Sequence, residues 1–546
     1  MKTYLVGGAV RDQLLNLPVT ERDWVVLEET PESMLKKGFR PVGKDFPVFL
    51  HPESSEEYAL ARTERKTGPG YKGFSIHSTP DVSLEQDLLR RDLTINAIAM
   101  SSEGEVIDPY NGIADLENRI LRHVSPAFSE DPVRVLRVAR FAARYAHLGF
   151  QIADETLRLM QQMVRGGEID YLVPERVWAE LYKALIERTP SAFFYALREC
   201  GALAKIFPEI DALFGIPQPR QHHPEIDTGI HTMLSLEQAA RLSEKPEIRF
   251  AVLVHDLGKA ISPKERLPHH YGHEKTGLPL LEQLADRIRV PNHYRMLAKR
   301  VMRYHTLAHR AFELRPATLT DLLLDLGAFK NTSTLKDFLL ACEADARGRG
   351  GTEKTAYPQA DYILEAAKAA AAIDISGVLK SGLEGAQIGA AIRRLRIHAI
   401  TENLKQQKNA DFLNIQAHKF TEEHLYYTED GYQAFADFTA LPSEFVDGGS
   451  TPRAVVIHLT YLNKELENQI WIRHFTSKDV DSIANVQGKF AQAAEKALDF
   501  CNSLPLLNSA TNELKMYLDE GRYPGLGTVK KISIKNHLLI ISDFLN

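Results

Sequence analysis

Two acids one residue apart, Glu21 and Asp23, stand shortly after the glycine pair and arginine of Gly7-Gly8-Ala9-Val10-Arg11-Asp12, with Glu21 ten residues beyond Arg11. Acids at i and i+2 share one face of a strand, and Trp24-Val25-Val26-Leu27 supplies the β-forming residues for a strand there. Such a pair can hold divalent cations jointly, and Glu57, ahead of the apolar run 58–61, is a third acid to complete the shell. Paired cations can position a triphosphate, lower the pKa of an attacking hydroxyl and steady the departing pyrophosphate. Upstream, Tyr4-Leu5-Val6 suits a strand, and the glycine pair lets backbone amides approach a phosphate. Residues 10–15 then open a helix whose amino end favours anions, with Gly8 and Arg11 facing the triphosphate. Taken singly, a glycine pair after a strand is more often a plain turn, and surface acids are usually just solvated. Their joint order points to nucleotide polymerisation.

A second constellation lies further on, in His231, His255-Asp256 and Asp345. Phe250-Ala251-Val252-Leu253-Val254 predicts a buried helical turn leading into His255-Asp256, which Gly258 helps to end. Mixed imidazole and carboxylate ligands suit a divalent transition metal with open positions for water, as in phosphoester hydrolysis. Nearby His269, His270 and His273 either line that pocket or sit on a solvent loop with Pro268 and Gly272. Between the two constellations, Arg134, Arg137, Arg140 and Arg144 recur at intervals of three, three and four, one stripe of a helix. Directly after Glu130-Asp131-Pro132, that stripe is expected to face phosphates rather than to form a solvated edge. Asp131 and Arg134 together offer an acceptor and donors for the edge of a cytosine or adenine.

Residues 1 to about 405 resemble the bacterial class II CCA-adding enzymes, the transfer-RNA nucleotidyltransferases, in the version carrying an HD domain. The resemblance runs through Leu5-Val6-Gly7-Gly8-Ala9-Val10-Arg11-Asp12, Arg90-Arg91-Asp92-Leu93-Thr94-Ile95-Asn96-Ala97, and Glu130-Asp131-Pro132-Val133-Arg134 with Val135-Leu136-Arg137-Val138-Ala139-Arg140-Phe141. It implies that Glu21 and Asp23 hold Mg2+, and that Arg91, Arg137 and Arg140 bind nucleotide phosphate or ribose. It further implies that Asp131 with Arg134 replaces a nucleic-acid template in choosing CTP and then ATP. For the HD constellation it implies phosphatase, 2′-nucleotidase and 2′,3′-cyclic phosphodiesterase activities, often supported by nickel. The family usually has aspartate where this chain has Glu21; one extra methylene keeps charge and ligand type, and activity is expected to survive. Two other readings remain: a poly(A) polymerase with the same head chemistry, and a mainly hydrolytic HD phosphoesterase whose head only binds nucleotide.

A chain of 546 residues implies several domains at ~100–200 residues each. The fold expected is α+β: a polymerase-β-like head over 1–125, a helical neck over 126–225, an HD domain over 226–350, a helical tail over 351–409, and an appended small α+β module over 410–546. The segment 63–73, rich in glycine and basic groups, reads as a mobile loop able to close over substrate, or as an ordinary surface loop. In the neck, Leu157, Met160, Met163 and Val164 show helical spacing, and the alanine-rich 366–372 favours a helix in a tail ending near 405. In the module, Val455, Ile457, Leu459 and Tyr461 fit a strand and 470–472 another, while Phe490, Ala493, Ala494, Ala497, Leu498 and Cys501 fit a helix face. The module has no phosphate loop or metal-spaced histidines, which favours an interaction or regulatory role with an unknown partner.

Hydrophobic content of 44% is ordinary for soluble protein, and no run approaches the ~18 apolar residues a membrane span needs. Arg11 and Asp12 interrupt any signal layout at the amino terminus. Cys200, Cys342 and Cys501 form neither a disulfide framework nor a zinc pattern, which fits a reducing compartment, so a cytoplasmic location is expected. A net charge of −6 argues mildly against a general polyanion binder, leaving transfer-RNA contact to local basic surface. Homodimerisation is allowed by the sequence.

Overall fold

The computed structural model describes residues 1–42, 48–66, 74–77, 79–220, 223–330 and 332–417, together with 424–428, 431–437, 455–462, 468–474, 529–534 and 537–543. It divides into two compact units, Met1–Ile400 and Thr401–Asn546.

The first unit begins with β1 (Lys2–Val6), and the chain turns at Gly7, whose φ of 67° lies in the region glycine alone enters readily, into the Gly8–Leu14 helix. β2 (Asp23–Leu27) returns antiparallel to β1 with Val6 opposite Asp23. After β3 (Arg40–Val42) and β4 (Val48–Leu50), β5 (Glu57–Leu60) lies parallel to β2 with Glu57 beside Asp23. The hairpin β6 (Thr63–Lys66) and β7 (Phe74–His77) is separate from this sheet. The expected substrate-closing segment 63–73 thus begins in β6, and its residues 67–73 lie outside the described residues. β8 (Ala99–Met100) and β9 (Val106–Ile107) complete a mixed seven-stranded sheet ordered β3-β4-β5-β2-β1-β8-β9.

Alternation along β2 explains the sheet's two cores. Val25 packs with Val6, Leu84, Leu88, Ala97 and Ala99 on one face, and Val26 packs with Met34, Phe39, Phe49 and Leu60 on the other. Short helices Pro31–Lys36 and Leu84–Leu89 cover these faces, each entered through a capping box, at Thr30 and at Ser83.

The described residues of the first unit beyond the head are mainly helical, and β10 (Ile120–Leu121) pairs in parallel with β11 (Gln151–Ile152), stitching head to neck. The Val133–Tyr145 helix carries the arginine stripe, and the Asp154–Arg165 helix buries Met160, Met163 and Val164 at their expected spacing. Helices Thr228–Leu242, Pro246–Val254, His273–Arg287, Asn292–His309 and Thr332–Arg347 surround the second constellation. Beyond them, Pro358–Ala371 contains most of the alanine-rich stretch. The last helix runs from Ala386 to Ala417, so the helical tail does not end near 405. Cys200 and Cys342 are buried free thiols.

In the second unit β12 (His424–Thr428), β13 (Gly431–Asp437), β14 (Val455–Leu462) and β15 (Asn468–His474) form an antiparallel meander. β17 (His537–Asp543) adds in parallel to β15, and β16 (Val529–Ile534) closes the edge. The two expected strands are β14 and β15. The expected helix face from Phe490 to Cys501 lies outside the described residues.

Candidate active sites

A cleft of about 1390 Å³ opens between head sheet and neck helices, lined by Gly7, Gly8, Arg11, Glu21, Asp23, Glu57, Arg91, Asp131, Arg134, Arg137 and Arg140 among others. Every residue singled out for nucleotide chemistry therefore reaches one space. Asp23 opens β2 and sits in register with Glu57, while Glu21 precedes the strand rather than lying on it. The strand-face argument thus holds for Asp23 and Glu57 across neighbouring strands, and for Glu21 only through the extended approach to β2. The walls around Asp23 strip it of water and so raise its carboxyl above the usual carboxylate value; Arg91 opposes this, and the Glu21 charge adds to it. A divalent cation would relieve that like-charge crowding.

Gly7 combines its positive φ with a close approach, since a Cβ there would come 2.9 Å from Arg91 Nη1, whereas one on Gly8 would meet Arg11 Nη2 at 3.4 Å, near ordinary contact. Arg11 is almost wholly buried: Nε donates to Asp12 Oδ1 at 2.8 Å and Nη1 to Asn96 Oδ1 at 2.5 Å. Arg91 donates to Asp87 Oδ2 at 3.2 Å and to the Asn96 carbonyl at 3.3 Å.

The arginine stripe faces acids as well as open cleft. Arg137 Nε lies 2.6 Å from Asp92 Oδ2, Arg140 Nε 2.6 Å from Glu180 Oε2, and Arg144 Nη2 2.9 Å from Asp12 Oδ2. Tyr145 Oη donates to the other Asp12 oxygen at 2.9 Å. The expectation that the stripe confronts phosphate is corrected to this extent: three of its four arginines also clasp acids of the head or of the Pro174–Ile186 helix. Burial, the largest influence on Asp92, pushes its carboxyl up, but Arg137, Asn96 and Arg134 outweigh it and hold the group well below the usual range. The Arg137–Asp92 and Arg144–Asp12 pairs tie the neck helix to the head beside the cleft, and Arg140–Glu180 ties two neck helices together.

Asp131 is engaged by a residue the sequence reading passed over. Arg176 grips it with two parallel bonds, Nη1 to Oδ1 at 3.1 Å and Nη2 to Oδ2 at 2.8 Å. Arg134 donates to the carbonyls of Ala127 at 2.8 Å and Arg90 at 2.6 Å. A lone arginine at position 176, spaced 45 residues from its partner, gives no sequence signal.

The second centre is closed. His231, His255, Asp256 and Asp345 are all at most 3% exposed and gather as expected. His231 Nε2 lies 2.9 Å from Asp345 Oδ1, and His255 Nε2 lies 3.2 Å from Asp256 Oδ2 and 3.6 Å from Asp345 Oδ1. His231 Nδ1 is 3.0 Å from Glu225 Oε1, an outer carboxylate that orients the ring. Burial disfavours a charged His255, but Asp256 and Asp345 outweigh it and raise its pKa to about 10, the mark of a strongly negative pocket. The donor set fits a metal: His255 Nε2 is buried with no hydrogen-bond partner, and its Nδ1 is occupied by the Val252 carbonyl at 2.7 Å.

Gly258 does not end a helix by a left-handed turn. A Cβ there would fall 2.0 Å from the His273 carbonyl, so the glycine lets the His273–Arg287 helix press against the HD turn. Of the three neighbouring histidines, His269 is exposed, His270 is part-buried on Ser262 and the Pro217 carbonyl, and His273 is buried in the centre. His305 and His309 enter too, His309 with Nε2 2.7 Å from Asp345 Oδ2. Their four-residue spacing on one helix was the available signal for both.

Family models match in three places: the poly A polymerase head domain over residues 3–122, the probable RNA and SrmB-binding site of polymerase A over 149–214, and the HD domain over 228–334. A multifunctional CCA protein of Methylococcus capsulatus is 63% identical over 401 residues, 73% of this chain and 94% of that protein. The chain belongs to the multifunctional CCA protein family. Another member, from Thioalkalivibrio sulfidiphilus, is 60% identical over 402 residues, 74% of this chain and 98% of its own length. Among solved structures, an apo CCA-adding enzyme aligns with a TM-score of 0.53 at 20% identity, covering 75% of this chain and 92% of its own. A CCA-adding enzyme in complex with CTP aligns with a TM-score of 0.50 at 20% identity, covering 75% and 91%. The family fold is thus a polymerase-β-like head followed by a helical body with an HD domain. No helix among the described residues is long and apolar enough to cross a membrane.

Proposed function

We propose that the head cleft adds CCA to the 3′ end of transfer RNA from CTP and ATP, and that the HD centre hydrolyses phosphoesters. In the first reaction the RNA 3′ oxygen bonds to the α-phosphorus of CTP twice and of ATP once, and the bond to pyrophosphate breaks each time. Glu21 and Asp23, with Glu57 completing the shell, would hold Mg2+, which when bound would supply Lewis acidity to the triphosphate and the attacking hydroxyl. Gly8 leaves backbone amides open to the triphosphate beside Arg11. Arg91, Arg137 and Arg140 bind phosphate or ribose by exchanging part of their present carboxylate contacts for the nucleotide. Asp131 and Arg134 select the base, and the base takes the place Arg176 holds on Asp131. The observation that carries this reading is the single cleft that all of these side chains line.

His231, His255, Asp256 and Asp345 hold a divalent transition metal, Ni2+ by preference, which would polarise a phosphoester and a water. The substrates are phosphomonoesters, 2′-nucleotides and 2′,3′-cyclic phosphates at RNA ends. Head 1–125, neck 126–225, HD domain 226–350 and tail 351–409 divide this work, while the module 410–546 takes an unidentified partner. A cytoplasmic location belongs to the same reading. The test is to incubate the protein with transfer RNA lacking its terminal triplet, with CTP and ATP offered separately and together, and to sequence the product ends. CC with CTP alone and CCA with both are expected; runs of adenylate would identify a poly(A) polymerase, and unchanged ends with intact phosphoester hydrolysis a degenerate head.

A further inference from the structure

We propose that Tyr145, at the end of the Val133–Tyr145 helix, is a positioning residue for the triphosphate, orienting the Arg11 guanidinium through the Asp12 carboxylate. The proposal rests on the reading that Arg11 meets the triphosphate in the head cleft.

Arg11 and Asp12 are neighbours in the Gly8–Leu14 helix, where consecutive side chains diverge by about 100° and do not face each other. They meet nonetheless: Arg11 Nε donates to Asp12 Oδ1 at 2.8 Å, and Nη2 lies 2.8 Å from the same oxygen. The groups that hold the carboxylate in this position come from the neck. Tyr145 Oη donates to that same Oδ1 at 2.9 Å, while Arg144 Nη2 holds Oδ2 at 2.9 Å. Tyr145 is wholly buried, and burial pushes its phenol pKa up, so the hydroxyl stays a donor at neutral pH. A buried phenol needs a hydrogen-bond partner, and Asp12 supplies it.

The Tyr145 ring also carries Arg11. It stacks with Phe141, centroids 6.2 Å apart and planes 1° apart, and the Arg11 guanidinium carbon lies 5.2 Å from the Phe141 centroid and 5.3 Å from that of Tyr145. Two aromatic faces thus attract the cation, and Nη1 is fixed in turn on Asn96 Oδ1. Each terminal nitrogen of Arg11 has two N–H groups and uses at most one on these partners, which leaves donors for a phosphate. Arg11 is among the residues lining the cleft and Tyr145 is not, so Tyr145 reaches a nucleotide only through its neighbours. A guanidinium already held in one plane loses little freedom when it grips phosphate oxygens, and that pre-organisation is what the neck contributes.

The test uses the full-length protein, transfer RNA lacking only its terminal adenylate, ATP at varied concentration and inorganic tripolyphosphate as inhibitor. Tyr145→Phe keeps the ring stack and removes the hydroxyl. It should raise KM for ATP about 10-fold and weaken tripolyphosphate inhibition by the same factor, with kcat within about twofold. Asp12→Asn should shift both constants the same way, each variant being checked for retained helicity by circular dichroism. In an Arg11→Ala background Tyr145→Phe should add nothing further, because the two residues act as a unit. Unchanged KM and tripolyphosphate inhibition in Tyr145→Phe would overturn the positioning role. So would a full additional loss in the Arg11→Ala background, which would mark Tyr145 as merely structural. If Arg11→Ala itself leaves both constants unchanged, the reading that Arg11 meets the triphosphate falls instead.

Discussion

The head cleft and the HD centre solve opposite electrostatic problems. In the cleft, charge is balanced side chain against side chain: Arg137 with Asp92, Arg140 with Glu180, Arg176 with Asp131. A nucleotide can enter by exchanging partners with the arginines that line the cleft, Arg137 and Arg176 being part-exposed while Asp92 and the Arg140–Glu180 pair are buried. In the HD centre, Nε2 atoms and carboxylate oxygens confront one another in a closed pocket, and Nδ1 atoms are already committed to carbonyls. Apart from the Lys259 ammonium on Asp256, these groups are placed where a divalent cation would offset their negative charge. Polymerisation needs a site that opens to a succession of large substrates, and hydrolysis needs one that keeps its cofactor.

The sharpest break between the two would come from single substitutions. Asp23→Ala should lower nucleotide addition by about 10³-fold or more while sparing phosphoester hydrolysis, and His255→Ala should do the reverse. Loss of both activities in either folded variant, measured by product-end sequencing and phosphate release, would join the centres that are held separate here. Within the cleft, Asp131→Ala should reduce discrimination between CTP and UTP by about 10- to 100-fold, read as the ratio of kcat/KM values. Asp92→Asn tests the clasp between neck helix and head beside the cleft, and breaking it should cost roughly 3 kcal/mol at neutral pH. Because Asp92 is held well below the ordinary carboxylate pKa, its contribution is complete above about pH 4 and is lost as pH falls through the folded-state value. Denaturant midpoints of variant and unaltered protein should therefore converge in acid.

Smaller effects probe the HD side and the tail. Gly258→Ala should destabilise by about 1–3 kcal/mol, seen as a lower Tm, because a Cβ 2.0 Å from the His273 carbonyl forces the helix away. The same shift would loosen His273 from the centre. Truncation after Ala417, where the last described helix ends, should leave nucleotide addition unchanged. A fall in rate measured on transfer RNA would give residues beyond 417 a part in polymerisation.

How much of this was legible in the sequence differs between the two sites for a physical reason. The glycine pair, the acids and the arginine stripe are local patterns, and the strand, turn and helix they implied are those observed at Lys2–Val6, Gly7 and Gly8–Leu14. What local pattern could not show was pairing across distance: that Glu57 lies beside Asp23, that Arg176 grips Asp131, or that Tyr145 bonds Asp12. The HD residues His231, His255, Asp256 and Asp345 stood out by ligand type, but their grouping rested on the family resemblance, since spacings of this length carry no geometry. His305 and His309 were readable as a pair one helical turn apart, but nothing in the chain says which way that helix faces. Gly258 was misread because a glycine after a helix suggests a stop, and only the packed His273–Arg287 helix reveals close approach as the cause.

A structure of the full chain with CTP and Mg2+ tests the central claim most directly. Glu21 and Asp23 should converge on density for metal ions between their carboxylates and the triphosphate, with the cytosine edge on Asp131 and Arg176 displaced from it. Carboxylates turned from the nucleotide, with no ion between them and Arg176 still seated on Asp131, would contradict a polymerising head.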